Sequence, residues 1–147
     1  MKENIVTFQV AKLAKEKGFM LHQGHMKMYK DENGHLFDNI GPAYDILSHC
    51  SHAPTQSLLQ KFIRETRGVH IEIHRNASGY YWSMCKADGG TDLGWSDISG
   101  PNAGGAWDSF EDALENALQV QLSYDLPNNT TIIKHWGNYV EFALKSK

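Results

Sequence analysis

The sequence predicts an α+β protein built on a three-stranded antiparallel meander with two helices on one face. Three observations lead to this fold class. The first strand, Val69–Arg75, begins with strict alternation of apolar and polar residues, which is typical of a strand with one buried face. Turn-forming residues separate it from two more strand-like segments, Tyr80–Lys86 and Thr91–Ile98. Helical periodicity flanks the meander on both sides, over Thr55–Thr66 and Ser109–Ser123.

The ends of both flanking helices carry the expected capping residues. Pro54 and Thr55 begin the first helix, and Gly68 ends it. Ser109 begins the second with Asp112 three residues on, although Asp108 and Glu111 form an alternative capping pair. Together with the apolar strand positions, the helical stripes predict a core that includes Leu58, Phe62, Ile71, Ile73, Trp82, Leu114 and Leu118.

A helix and a hairpin are predicted before this core. Thr7–Lys17 has an apolar face and a capping threonine, and Gly18 suits the left-handed position that follows a helix. Two short strands, His25–Tyr29 and His35–Phe37, flank a turn rich in Asn and Gly. We interpret Asn39–Ala53 as a connection to the next unit.

The C-terminal segment admits two interpretations. Between Thr130 and Lys145, apolar residues recur at helical spacing, which favours a helix. Gly137-Asn138 is also a good two-residue hairpin turn, so a hairpin remains the alternative. The expected organisation is one domain, with residues 1–53 as an N-terminal segment, 54–126 as the α-β-β-β-α core and 127–147 as a helical extension.

Composition excludes several classes of protein. The chain has 147 residues and a formal net charge of −3, whereas proteins that grip nucleic acid neutralise phosphates with clustered Lys and Arg. Two cysteines are too few for a disulfide framework. We see neither a signal peptide nor an apolar run of membrane-spanning length, and therefore expect a cytoplasmic protein. The sequence predicts no cofactor, since phosphate-loop and nucleophile motifs are absent.

Three segments of the chain resemble a known group of proteins. They are APTQSLLQKFIRETRGVHIEI, GYYWSMCKADGG and WDSFEDALENALQVQL. In this order they resemble small uncharacterised proteins encoded by phages and prophages of gut bacteria. The resemblance covers most of the chain and implies a mobile-element origin, but that group has no assigned activity.

Two other families share parts of the pattern. The strand VHIEI, the aromatic strand and the helix SFEDALENAL, within residues 69–122, are similar to the β-β-β-α half of HicB-type antitoxins, although no DNA-binding segment is recognisable downstream. Double-stranded-RNA-binding domains also have an α-β-β-β-α order. Their closing helix begins with basic residues, whereas this one begins with Asp108-Ser109-Phe110-Glu111-Asp112, which argues against RNA binding.

One cluster has the residue types of a metal site. His49-Cys50-Ser51-His52 offers imidazole and thiolate donors, and His22 and His25 could add a second pair. A structural zinc site normally takes four ligands from two separated pairs, and nothing in this spacing requires such a site. The sequence therefore predicts no metal, with a His-rich loop as the simpler interpretation.

The meander itself brings polar side chains together. If Asn76–Gly79 closes the hairpin, one face of the strand pair has His74 opposite Tyr81, Glu72 opposite Ser83 and His70 opposite Cys85. The other face then has Ile73 opposite Trp82 and Ile71 opposite Met84. This polar face is either an ordinary solvated surface or a surface for a ligand or partner. An enzyme site of His, Glu, Tyr and Cys is a further alternative.

Two tryptophans flank the Gly-rich loop after the third strand. Trp95 and Trp107 either cap the edge of the core or contribute to an interface, where aromatic residues are enriched. Our leading hypothesis is a non-enzymatic accessory protein that binds another protein or itself. A HicB-like antitoxin is the alternative, and neither nucleic acid nor a membrane is expected as a partner.

Overall fold

A computed structural model describes residues 4–19, 26–39, 49–87, 92–95, 101–102, 105–123, 130–136 and 139–144. The chain divides into two compact units, Met1–Leu59 and Gln60–Lys147. The elements are, in order, α1 (Phe8–Glu16), β1 (Met26–Lys30), β2 (Leu36–Asn39), β3 (Cys50–His52), α2 (Gln56–Arg67), β4 (Val69–Asn76), β5 (Gly79–Lys86), β6 (Asp92–Trp95), α3 (Phe110–Ser123), β7 (Thr130–Trp136) and β8 (Tyr139–Leu144). The α+β class is confirmed. Whether the chain behaves as one domain stays a prediction.

Helix α1 begins and ends where the sequence predicts. The Thr7 hydroxyl accepts a hydrogen bond from the Val10 N–H at 3.4 Å, which satisfies one of the donors that the first turn leaves unpaired. Gly18 follows the helix with φ of 92°, a left-handed conformation that glycine adopts without steric cost. The Phe19 N–H then donates to the Ala14 carbonyl at 2.9 Å. The Phe19 side chain is buried, and its ring meets the His52 ring edge-on at 6.3 Å.

The predicted N-terminal hairpin is present, and a third strand joins it. β1 pairs antiparallel with β2 on one side and with β3 on the other. Asn39–Ala53 was predicted from the sequence to be a connection, and this prediction missed β3. In the pairing of β1 with β3, Met28 lies opposite His52. β3 has only three residues and all three are buried, so it shows no alternation. Positions 40–48 of the expected connection lie outside the described residues.

The meander of β4, β5 and β6 has the predicted strand order. All strands are antiparallel, and the five residue pairs predicted between β4 and β5 are confirmed. The pairing runs from Val69 opposite Lys86 to Asn76 opposite Gly79. β6 is described over Asp92–Trp95, whereas positions 91 and 96–98 of the predicted strand are outside the described residues. Helix α3 packs on β4 and β5. Its Asn116 accepts a hydrogen bond at 2.9 Å from Nε1 of the buried Trp82.

The capping residues of α2 and α3 behave as predicted. The Thr55 hydroxyl accepts from the Leu58 N–H at 3.2 Å. The Ser109 hydroxyl accepts from the Asp112 N–H at 3.0 Å, as the first of the two capping pairs predicts. Near the end of α2, a guanidinium nitrogen of Arg67 donates to the Gln121 carbonyl at 2.7 Å and so links α2 to α3.

One predicted core residue is wrong. Leu58 is 37% exposed, whereas its neighbour Leu59 and the next-turn residue Ile63 are fully buried. Residues four apart stack on one helical face, so the buried stripe is centred on Leu59 and Ile63 and Leu58 lies beside it. Four of the other predicted core residues are buried, namely Ile71, Trp82, Leu114 and Leu118. The remaining two, Phe62 and Ile73, are half-buried.

The C-terminal helix prediction is wrong, and the hairpin alternative is correct. β7 and β8 pair antiparallel, with Ile132 opposite Phe142 and Trp136 opposite Tyr139. β7 begins with two threonines and two isoleucines, and such β-branched residues favour strands over helices. β7 also lies beside β6. Among the described helices, none is long and apolar enough to cross a membrane.

Candidate partner-binding surface

The pairing of β4 with β5 places six polar or sulfur-bearing residues on one side of the sheet. Directly opposite residues of an antiparallel pair share a face, and successive residues alternate between faces. The observed register therefore gives one face that we call the polar face, consisting of His70, Glu72, His74, Tyr81, Ser83 and Cys85. The opposite face carries Ile71, Trp82 and Met84, all buried. The polar face is thus held in place by burial of the other side of the same strands.

His74 is the centre of the polar face. Its Nε2 lies 2.7 Å from the Ser83 hydroxyl oxygen, a hydrogen bond across the strands. Its ring stacks on Tyr81, with centroids 5.0 Å apart and an angle of 23° between the planes. The Glu72 carboxylate lies 3.8 Å from the same Nε2. Four of the six residues are therefore in one connected group.

This group does not have the arrangement of a Ser-His-acid triad. In a triad the hydroxyl and the carboxylate bind opposite nitrogens of the imidazole, so that the ring can pass a proton from one side while it is oriented from the other. Here both Ser83 and Glu72 approach Nε2. The arrangement orients the His74 ring, but it does not prepare Ser83 as a nucleophile in the manner of that triad.

The remaining pair of the polar face lies towards the other end of the strands. His70 is opposite Cys85, and both side chains are half-buried. His70 and His74 are four residues apart on one strand, about 13 Å at the usual rise per residue, which is too far for one metal ion to bind both. The structure therefore brings together the half of the polar face around His74, while His70 and Cys85 form a separate pair.

The two tryptophans from the sequence analysis lie at different places along β5. The register of β6 puts Trp95 opposite Ser83. Trp107 is half-buried and pairs its backbone with Tyr80: each N–H donates to the other residue's carbonyl, both at 2.8 Å. Trp107 thus extends the pairing on the β6 side of β5, near the hairpin turn. It is not part of the group around His74.

A second aromatic group, which was not predicted from the sequence, lies beside Trp107. The Arg75 guanidinium lies over the Tyr80 ring, 4.8 Å from its centroid. The same ring meets Phe110 edge-on at 6.4 Å, and Phe110 is 43% exposed. The Tyr80-Tyr81 pair was the available signal, because neighbouring strand residues point to opposite faces and the two rings must therefore have different surroundings.

The side chains of the segment His49–His52 differ in their exposure to solvent. His49 is exposed just before β3, whereas Cys50 and His52 are buried within it. Burial, together with the nearby Asp31 carboxylate, raises the pKa of the Cys50 thiol and so disfavours the thiolate that binds metals. The described residues contain no cluster of three or more metal-binding side chains. His22 and His25, the other candidate ligands, lie outside the described residues.

Comparisons with protein-family models, with curated proteins and with solved structures find no match for this chain. The resemblances noted above, to phage-encoded proteins and to HicB-type antitoxins, therefore stay hypotheses.

Proposed function

We propose that this chain is a non-enzymatic accessory protein of a phage or mobile element, and that it binds another protein through the polar face. The observation that carries the proposal is the Tyr81 ring, half-buried and stacked on His74, which is itself held by Ser83. Tyr is among the residues that contribute most to binding energy at protein interfaces.

Rigidity is the second argument for a binding surface. Ordering a rotamer-rich side chain on association costs roughly 0.5–1.5 kcal/mol, so side chains that are already fixed bind at lower cost. The His74 ring has a hydrogen bond on its edge and a stacked ring on its face. Tyr81 and His74 therefore present one preorganised aromatic surface, flanked by the hydrogen-bonding groups of Glu72 and Ser83.

The charges favour a protein partner over a nucleic acid. The chain carries a net charge of −3, and the side chain of Glu72, on the polar face, is 59% exposed. A carboxylate in this position repels phosphates, whereas a protein partner can donate hydrogen bonds to it.

Removal of the Tyr81 ring tests the proposal. The tagged protein is used as bait in a lysate of the bacterium that encodes it, and the captured protein is purified for titration calorimetry. We expect Tyr81→Ala to weaken this binding by more than ~1 kcal/mol, about fivefold in Kd, while circular dichroism shows an intact fold.

Tyr80→Ala is the matched control, because it removes the same ring from the neighbouring position on the other face of β5. Binding that survives Tyr81→Ala but is lost with Tyr80→Ala would contradict the proposal and move the contact to the second aromatic group. Trp95→Ala and Trp107→Ala test the tryptophans in the same way. If all four folded variants bind the partner as tightly as the wild-type chain, neither the polar face nor the two tryptophans form the contact surface.

A HicB-like antitoxin is the second candidate. It is favoured by the order β4, β5, β6 and α3, with α3 packed on β4 and β5, because this is the β-β-β-α order of that module. The same capture experiment separates the candidates. A small toxin encoded by the adjacent gene as the captured protein would support the antitoxin, and any other protein would count against it.

A further inference from the structure

We propose that the chain forms a dimer in which the edge of β4 pairs antiparallel with β4 of a second copy. This inference goes beyond the proposed function, because it concerns the backbone edge of β4, to which Glu72 and His74 of the polar face contribute side chains. It starts from the position of β4, which is an outer strand of the meander with β5 on its only paired side among the described residues.

The backbone pairing shows which groups of β4 point away from β5. The Tyr80 N–H and C=O are both bonded to Trp107, on the far side of β5, so the pair Arg75–Tyr80 is one that exchanges no hydrogen bonds. Such pairs alternate with bonded pairs along an antiparallel ladder. Ile71 and Ile73 are therefore also in non-bonded pairs, and the N–H and C=O groups of Ile71, Ile73 and Arg75 point to the outer edge.

Only some of the outward backbone groups of β4 have a hydrogen-bond partner among the described residues. The Gln60 side-chain amide donates to the Ile71 carbonyl at 2.7 Å, a bond that agrees with the outward direction just derived. Within the part of the chain that the structure describes, the outward groups of Ile73 and Arg75 have no hydrogen-bond partner. A row of unpaired backbone groups at a sheet edge is a template for another strand.

The side chains around Ile73 suit a two-fold symmetric pairing. If Ile73 lies opposite Ile73 of the second copy, antiparallel geometry places Glu72 opposite the other copy's His74, and the same contact occurs twice. A carboxylate accepts hydrogen bonds and an imidazole N–H donates them. On the other face the two half-buried Ile73 side chains lie side by side, so each covers apolar surface of the other.

This register also agrees with the hydrogen bonds that are available. The two Ile73 residues exchange a pair of backbone bonds, and each Arg75 lies opposite Ile71 of the other copy. The Ile71 carbonyl that Gln60 already occupies keeps a second lone pair for the incoming Arg75 N–H. Side-chain hydrogen bonding, apolar contact and backbone geometry therefore favour the same occupant, a second copy of this chain.

Sedimentation equilibrium of the purified chain over a range of concentrations tests the dimer. We expect the average mass to rise with concentration above the monomer's 16.6 kDa. Ile73→Pro should give monomer at every concentration, because proline removes the outward N–H without removing a bond to β5. A single monomeric species for the wild-type chain overturns the proposal, and so does a dimer that persists in folded Ile73→Pro.

A second test of the dimer changes the side-chain charges at positions 72 and 74 and does not depend on a proline substitution. Glu72→Lys should weaken the dimer about tenfold, since two cross-strand pairs change at once. The double variant Glu72→Lys with His74→Glu should recover it, because lysine then faces glutamate. Glu65→Lys, the same charge reversal on exposed α2, is the matched control and should leave the dimer unchanged. Failure of the double variant to recover association overturns the register.

The two proposals fail separately. Tyr81→Ala should lose the partner protein and keep the dimer, whereas Ile73→Pro should do the reverse at low protein concentration. A monomeric wild-type chain that still binds its partner through Tyr81 would remove the dimer alone.

Discussion

Asp31 connects three parts of the N-terminal unit. Its carboxylate accepts hydrogen bonds from the Lys15 ammonium of α1 at 2.7 Å and from the Ser51 hydroxyl of β3 at 2.6 Å, while Asp31 itself begins the turn after β1. Burial alone would raise the pKa of Asp31. The bonds from Lys15 and Ser51, together with the charge of Lys15, outweigh burial and hold this pKa below its usual value of 3.8.

Replacement of Asp31 by Asn should therefore destabilise the N-terminal unit by about 1 kcal/mol at neutral pH. A carboxyl with a lowered pKa in the folded state stabilises the fold above its ordinary pKa, and this contribution disappears as the pH falls through ~4 towards the folded value. Urea denaturation of both proteins at several pH values measures the difference. A gap that widens towards acid pH would contradict this assignment.

No motif in the sequence marks Asp31 as an anchor. The turn that contains Asp31 was predicted from Asn and Gly, but its partner Ser51 lies in β3, which the sequence analysis interpreted as a connection. An ion pair between residues distant in sequence depends on tertiary packing, and periodicity carries no information about it.

At the scale of elements, α2 shows what periodicity can and cannot predict. The sequence correctly predicted a helix and placed Leu58 in its core, but the buried Leu59 lies one position further on, about 100° around the helix axis. A broad apolar stripe does not say which edge of it faces the core. Packing places Leu59 and Ile63 inside and leaves Leu58 at the margin.

This difference should appear in stability. Ile63→Ala should lower the free energy of unfolding by roughly 2–5 kcal/mol, because it leaves a cavity at a fully buried position. Leu58→Ala should change it by about 0.5 kcal/mol or less, as is usual for substitutions at exposed sites. Urea denaturation of both variants checks the order. A larger loss for Leu58→Ala would place the stripe where the sequence analysis put it.

The strands follow the same logic. The register of β4 and β5 could be predicted because the turn length fixes it, and a shift of one residue would turn the apolar side chains out. The C-terminal segment could not be decided by spacing, since Ile132, Trp136 and Val140 fit a helical stripe as well as a hairpin. Its β-branched residues and its two-residue Gly-Asn connection were the better evidence.

For the molecule as a whole, the sequence predicted the members of the polar face but not their interactions. Register determines which residues are opposite each other; it does not determine rotamers. The stack of His74 on Tyr81, the bond to Ser83 and the distance to Glu72 all depend on side-chain torsions. The second aromatic group was missed because Phe110 reaches Tyr80 from a separate helix.

Folding of the whole molecule should not depend on zinc. The raised pKa of Cys50 disfavours its thiolate, and His49 is exposed while Cys50 and His52 are buried. We expect purified protein to contain less than one zinc per chain and a chelator to leave Tm unchanged. Stoichiometric zinc that disappears when His49, Cys50 and His52 are all replaced by Ala would contradict this prediction.

The paired backbones of Tyr80 and Trp107 have a consequence for how the chain can vary in length. Because these two residues bond to each other directly, this edge contact does not depend on how many residues lie between Trp95, the end of β6, and Pro101. Loop-closure entropy rises slowly, by about 0.6 kcal/mol for each doubling of a flexible loop. Insertions between Trp95 and Pro101 should therefore have a small energetic cost. Gly79 is the opposite case, because a Cβ there would clash with the Trp107 carbonyl oxygen. The segment before Pro101 can therefore vary in length among related chains, whereas position 79 should remain glycine.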